Sequence, residues 1–156
     1  IEAEWGRSRA DERYRFITSA VIRLPGNFTV APIFDYGSGQ PWNRRRGYDY
    51  NGDGQLGDRL PGVSKFSEDG PNFAQMNLRV TYGLPLGARA KADLIAEFFN
   101  LFNRDNFDPN AIQSTEFLSG PTLANPAAAA VPNPRYGQYT ATLTPFEAQL
   151  GVRLTF

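Results

Sequence analysis

Apolar and polar side chains alternate with a period of two along five segments of this chain, residues 14–24, 28–36, 74–82, 90–99 and 145–156. No stretch sustains the 3.6-residue period of an amphipathic helix, so the pattern predicts strands. One phase reads Tyr14, Phe16, Thr18, Ala20, Ile22 and Leu24, then Phe28, Val30, Pro32, Phe34 and Tyr36. It continues as Ala74, Met76, Leu78, Val80 and Tyr82, then Ala90, Ala92, Leu94, Ala96 and Phe98, and ends with Phe146, Ala148, Leu150, Val152, Leu154 and Phe156. None of these positions is charged. The other phase carries Arg15, Arg23, Asp35, Arg79, Lys91, Asp93, Glu97, Glu147 and Arg153.

The segments are about 9–12 residues long, which is what a tilted strand needs to cross a bilayer; globular strands are usually about 5–6 residues. On the uncharged phase, aromatics gather at segment ends and aliphatic or small residues fill the middles. Aromatic rims around an aliphatic band are the pattern of a lipid-facing barrel wall. A soluble antiparallel sandwich also alternates, but it favours large branched side chains at mid-strand, where this chain has Ala20, Ala92, Ala96 and Ala148. Pro32 removes a ladder donor in mid-segment, and a bulge is expected there.

The connections alternate between short and long. Pro25-Gly26-Asn27 and Gly83-Leu84-Pro85-Leu86-Gly87 read as tight turns. Residues 37–73 and 100–144 are rich in Gly, Pro, Asn and Asp and far longer than the connections of compact soluble domains. Short periplasmic turns and long extracellular loops are the habit of outer-membrane barrels. A periplasmic C-terminus gives that order of loops. Five strands are odd in number and too few to close, because bacterial barrels have even counts of at least eight. The expected fold class is therefore all-β, an antiparallel transmembrane β-barrel segment that belongs to a larger wall. Ile1 is not an initiator Met and no signal peptide follows it, so the chain is expected to be processed, cut or part of something longer.

The last residues, Gln149-Leu150-Gly151-Val152-Arg153-Leu154-Thr155-Phe156, resemble the C-terminal signal of outer-membrane barrels, in which Gln149, Gly151, Leu154 and Phe156 fill the signature positions. Glu97-Phe98-Phe99-Asn100-Leu101-Phe102-Asn103-Arg104, with Asn106-Phe107, resembles the penultimate strand and loop entry of TonB-dependent outer-membrane receptors. Asp11-Glu12-Arg13-Tyr14-Arg15-Phe16, Ser38-Gly39-Gln40-Pro41 and Asp49-Tyr50-Asn51-Gly52-Asp53-Gly54 extend the likeness to the Oar-like branch, receptors with a carboxypeptidase-regulatory-like domain. The resemblance implies the last five strands of a 22-stranded barrel that takes up a nutrient and catalyses no reaction. It also implies outer-membrane lipid, the remaining strands and plug, the TonB complex and the barrel-assembly machinery as partners. The plug and TonB box have no counterpart in these residues.

Composition narrows the chemistry. The 156 residues include 16 Lys+Arg and 16 Asp+Glu, without a Cys or a His. Thiol and imidazole catalysis, disulfides and Cys/His zinc sites are excluded. The balanced charge argues against nucleic-acid binding. Asp49, Asn51, Asp53, Gln55 (through its backbone carbonyl) and Asp58 have the alternation of oxygen donors around Gly54 that an EF-hand-type loop uses for Ca²⁺. Leu60 stands where the bidentate Glu belongs, and a run of Asx-turns explains the same residues. The run Arg44-Arg45-Arg46 is read as a solvated stretch, with an anionic ligand as the alternative. The charges at 79, 91, 93, 97 and 153 are expected to pair across strands. Two other readings stay open: a structural barrel piece that pairs with another chain, and a soluble calcium-binding β domain.

Overall fold

The computed structural model describes residues 5–55, 57–122 and 125–156. They form β-structure without a helix: β1 (Arg15–Ser19), β2 (Ile22–Leu24), β3 (Phe28–Gly37), β4 (Pro41–Trp42), β5 (Glu68–Asp69), β6 (Phe73–Pro85), β7 (Lys91–Phe99), β8 (Leu118–Ser119), β9 (Val131–Pro132) and β10 (Glu147–Thr155). All the sheets are antiparallel, and none closes into a barrel. The chain divides into two compact units.

One unit comprises Tyr14–Gly37, Asn72–Asn106 and Leu143–Phe156. It is a single twisted layer in the order β1-β3-β6-β7-β10, with β2 also on β3. Alternation and β-branched or aromatic content explain the strands; Gly and Asn explain the turns. Gly26 and Asn27 take φ of 79° and 64° in the turn into β3, and Gly87 takes 109° in the turn into β7, a region that most side chains avoid. By register, the ends of β2, β3, β6 and β7 joined by short turns and the C-terminal end of β10 lie at one end of the sheet, and the long connections leave from the other.

Three local expectations need correction. Segment 14–24 is two strands interrupted at Ala20 and Val21. Pro32 causes that break without a bulge: Ser19 faces Ile33 and Ile22 faces Val30, so the register runs straight through. Ala20 N–H donates to Pro32 O at 3.2 Å, but Pro32 has no N–H to return, and the ladder opens at that pair. Its side of the ladder towards β6 stays in register at Leu78. The turn placed at 83–87 begins later, since Gly83, Leu84 and Pro85 pair with Asp93, Ala92 and Lys91.

The other unit comprises the described residues of Ile1–Arg13, Ser38–Pro71 and Phe107–Thr142. Here the two long connections prove to be structured. β4 pairs with β5 and β8 with β9, and isolated bridges tie Arg45 to Arg59 and Glu116, Ile112 to Tyr139, and Ser114 to Tyr136.

Candidate functional site

Opposed residues of an antiparallel pair project to the same face, so the register sorts the six-strand layer into two surfaces. One is built of the rows Phe16-Tyr36-Ala74, Thr18-Phe34-Met76, Ala20-Pro32-Leu78-Phe98-Ala148, Ile22-Val30-Val80-Ala96-Leu150, Leu24-Phe28-Tyr82-Leu94-Val152 and Leu84-Ala92-Leu154. No row contains an ionisable Asp, Glu, Lys or Arg. The face packs onto no core: of its own side chains only Ala92 is buried among the described residues, while Leu150 is 86% exposed and Phe156 92%. Aromatic pairs mark its two rims. Phe16 lies 6.3 Å from Phe34 and Phe98 6.4 Å from Phe146 at the loop end, and Phe28 lies 4.8 Å from Tyr82 at the turn end. Fully removing one such aliphatic or aromatic side chain from water is worth about 1.5–3 kcal/mol, so an uncovered face of this size needs an apolar neighbour.

The opposite face holds the ionised side chains, and they pair across strands. Arg79 opposes Glu97 in the register, with 3.5 Å between charged atoms. Arg15 reaches the diagonal Asp35 at 2.6 Å. Asp93 is nearly inaccessible, with its side chain 3% exposed. Its Oδ2 accepts from Arg153 Nη2 at 2.6 Å and Nε at 3.2 Å, and Lys91 Nζ stands 2.7 Å from Oδ1. One carboxylate thus fixes two cationic heads.

A third element escapes the alternation pattern. The chain leaves β7 through a corner made by asparagines. Asn100 has φ 46° and is 1% exposed. Its Oδ1 accepts from Arg104 N–H, and its Nδ2 donates to the carbonyls of Arg104 and Thr144. Asn103, also left-handed, accepts from Phe146 N–H through Oδ1. Asn106, 2% exposed, accepts Ala74 N–H at 2.9 Å and donates to Ala74 O at 3.0 Å, so its amide acts as one more strand residue beside β6. Short amides that satisfy backbone groups explain Asn at all three positions, and tolerance of positive φ adds to it at Asn100 and Asn103. Their spacing just after a strand was the available signal.

In the second unit the arginine run is solvated only in part. Arg44 lies over the Phe117 ring at 4.2 Å, and Arg46 over Tyr50 at 3.6 Å. Only Arg45 among the three is exposed. Its backbone is threaded between neighbours, with Arg45 N–H donating to Thr115 O and Arg46 N–H to Asp58 O. Planar guanidinium groups stack on aromatic faces at little desolvation cost. Tyr136 packs edge-on against Trp42 and Phe117. Burial, reinforced by Glu68, raises the Tyr136 phenol above its ordinary value, and burial raises Tyr139.

The calcium candidates do come together. Asp49 accepts N–H bonds from Gly52, Asp53 and Gly54, and Asp58 accepts those of Tyr50 and Asn51. Asn51 Oδ1 takes Asp53 N–H, and Asp53 Oδ1 takes Gln55 N–H. The carboxylates therefore organise a chain of Asx-turns, and among the described residues no group of three or more His, Cys, Asp or Glu is disposed to hold a metal ion. Of the terminal signature, Gln149 and Gly151 lie on the charged face opposite Glu97 and Ile95, Leu154 lies on the uncharged face opposite Ala92, and Phe156 follows β10. Comparison of the chain with protein-family models, with curated proteins and with solved structures returned no match.

Proposed function

We propose that this chain is the C-terminal wall of a TonB-dependent outer-membrane receptor for nutrient uptake, non-catalytic, with the uncharged face against lipid and the charged face towards the barrel interior. The observation that carries this reading is the uncharged face itself, six register rows deep and without a core behind it. The nine residues of β7 and of β10 extend about 30 Å, which at a tilt of about 35–45° rises about 21–25 Å, close to the height of an apolar band about 25 Å tall. In this reading the short turns and C-terminus are periplasmic and the long connections are extracellular.

Among the described residues no further strand pairs with β1 or with β10 beyond β3 and β7. Open edges in lipid cost several kcal/mol per backbone group, so further strands must complete the wall. The same precursor is the proposed source; a second chain would make this a structural piece of a composite barrel. The receptor's plug, the TonB complex and the assembly machinery follow from the resemblance alone. Within the same reading, the 49–58 loop is a weak extracellular calcium turn with Asp49, Asn51, Asp53 and Asp58 as side-chain donors. Free Ca²⁺ in the range of about 0.1–1 mM then slows amide exchange at Gly52 and Gly54, and unchanged exchange withdraws the ion from the proposal.

Fractionation tests the central reading. Cells expressing the protein should retain it in the outer-membrane pellet after alkaline carbonate washing and release it only with detergent. Release into buffer without detergent sinks the barrel reading and favours a soluble β domain. Intact mass of the extracted species then separates a single long precursor from a composite assembly.

A further inference from the structure

The turn end of the charged face has a property that pairing across strands does not explain. A concavity of about 850 Å³ opens there, and its lining includes Arg23, Arg79, Lys91 and Arg153 with Asp93 as the single carboxylate. Glu97 pairs with Arg79 from outside the lining, so four cations meet two carboxylates. We propose that this concavity binds a small polyanion, a ligand with two or more phosphate or carboxylate groups.

The geometry supports a prepared site. Asp93 is buried, yet the Lys91 and Arg153 side chains that it anchors remain 57% and 67% exposed. Their heads are held in place while donor capacity remains for a ligand; Arg in particular offers five N–H groups in a fixed fork. Gly83 contributes by absence: it pairs with Asp93, and a Cβ there would stand 3.1 Å from Lys91 Cε, in the path of that side chain. Thr29 and Thr81 lie in the row of Arg23 and line the same space with neutral hydroxyls. The cations come from β2, β6, β7 and β10, and neighbouring strands lie about 4.8 Å apart. That spread exceeds the reach of one phosphate and selects for an extended ligand. The inference uses the charged face alone, and it holds whether the opposite face meets lipid or another apolar surface.

The test is a titration of the full chain in uncharged detergent micelles with tripolyphosphate, tricarballylate and inorganic phosphate, followed by calorimetry and ³¹P line broadening. Saturable binding of at least one polyanion, tighter than inorganic phosphate and weakened by salt, is expected; which polyanion wins separates phosphate from carboxylate ligands. Arg23→Gln removes a lining cation outside the Asp93 cluster and should weaken binding about three- to tenfold, one or two charge-assisted hydrogen bonds being lost. Joint replacement of Lys91 and Arg153 by Gln should weaken it further, with circular dichroism reporting that the sheet persists. Arg45→Gln, in the other unit, should leave the affinity unchanged. Absence of saturable binding, or equal loss with Arg45→Gln and Arg23→Gln, overturns the proposal.

Discussion

Replacement of Leu150 by arginine separates a lipid-facing wall from a water-facing one by magnitude. Leu150 lies in the row Ile22-Val30-Val80-Ala96-Leu150, between the two aromatic rims, and is 86% exposed. Were that exposure to water, Leu150→Arg would change stability by about 0.5 kcal/mol or less, as surface substitutions do. At the middle of a bilayer the same change costs about 2–4 kcal/mol. At about 1.4 kcal/mol per decade, that is roughly a thirty- to several-hundred-fold loss in the folded ratio. The neighbour Gln149 lies on the charged face opposite Glu97, so Gln149→Arg should be nearly neutral, or slightly favourable through that carboxylate. The assay is urea unfolding of the completed barrel that contains this chain, reconstituted into lipid vesicles, followed by circular dichroism. A pair of midpoints in which Leu150→Arg falls well below wild type and Gln149→Arg does not is the expected result. Equal midpoints for the two variants would refute the assignment of faces to lipid and interior.

Other substitutions probe the joints of the fold. Asn106→Ala removes both bonds to Ala74 and leaves buried backbone groups unpaired, at about 1–3 kcal/mol for each unsatisfied group. It should lower the unfolding midpoint and speed exchange at the Ala74 amide; Asn106→Asp, which keeps an acceptor and loses the donor, should not rescue it. Pro32→Ala restores an N–H opposite Ala20, so exchange at Ala20–Ile22 should slow, while the net stability change stays within about 1 kcal/mol as unfolded-state freedom offsets the new bond. Tyr136 and Tyr139 ionise above the ordinary phenol value, so the folded state holds those protons more tightly than the unfolded one. Their contribution is intact below about pH 10 and is lost as pH rises towards the folded values; phenolate absorbance should lag behind that of unfolded chain.

The two faces were legible in the sequence because a strand period of two leaves no choice of phase once a whole row must be uncharged. The end of β6 was not legible: Gly83 and Pro85 are turn residues by type, yet Gly83 is used for the space its missing Cβ leaves to Lys91. Nor was the setting of Arg44, since Phe117 and Tyr136, which meet it, come from a distant part of the chain. Two-residue strands and single bridges carry no period to detect. The asparagine corner was visible as a motif, but its work is in side-chain bonds to distant backbone, such as Asn100 to Thr144 and Asn106 to Ala74.

The central claim is that one face of the sheet meets lipid and the other water, and the chain is suited to a direct measurement because it has no Cys. Single cysteines placed in turn at 147–155 can carry a nitroxide, with the completed barrel in lipid vesicles and relaxation by oxygen compared with relaxation by a water-soluble nickel complex. Oxygen should dominate at 148, 150, 152 and 154 and the nickel complex at 149, 151 and 153, in strict alternation. Nickel access at every position, without alternation, would contradict a wall in lipid.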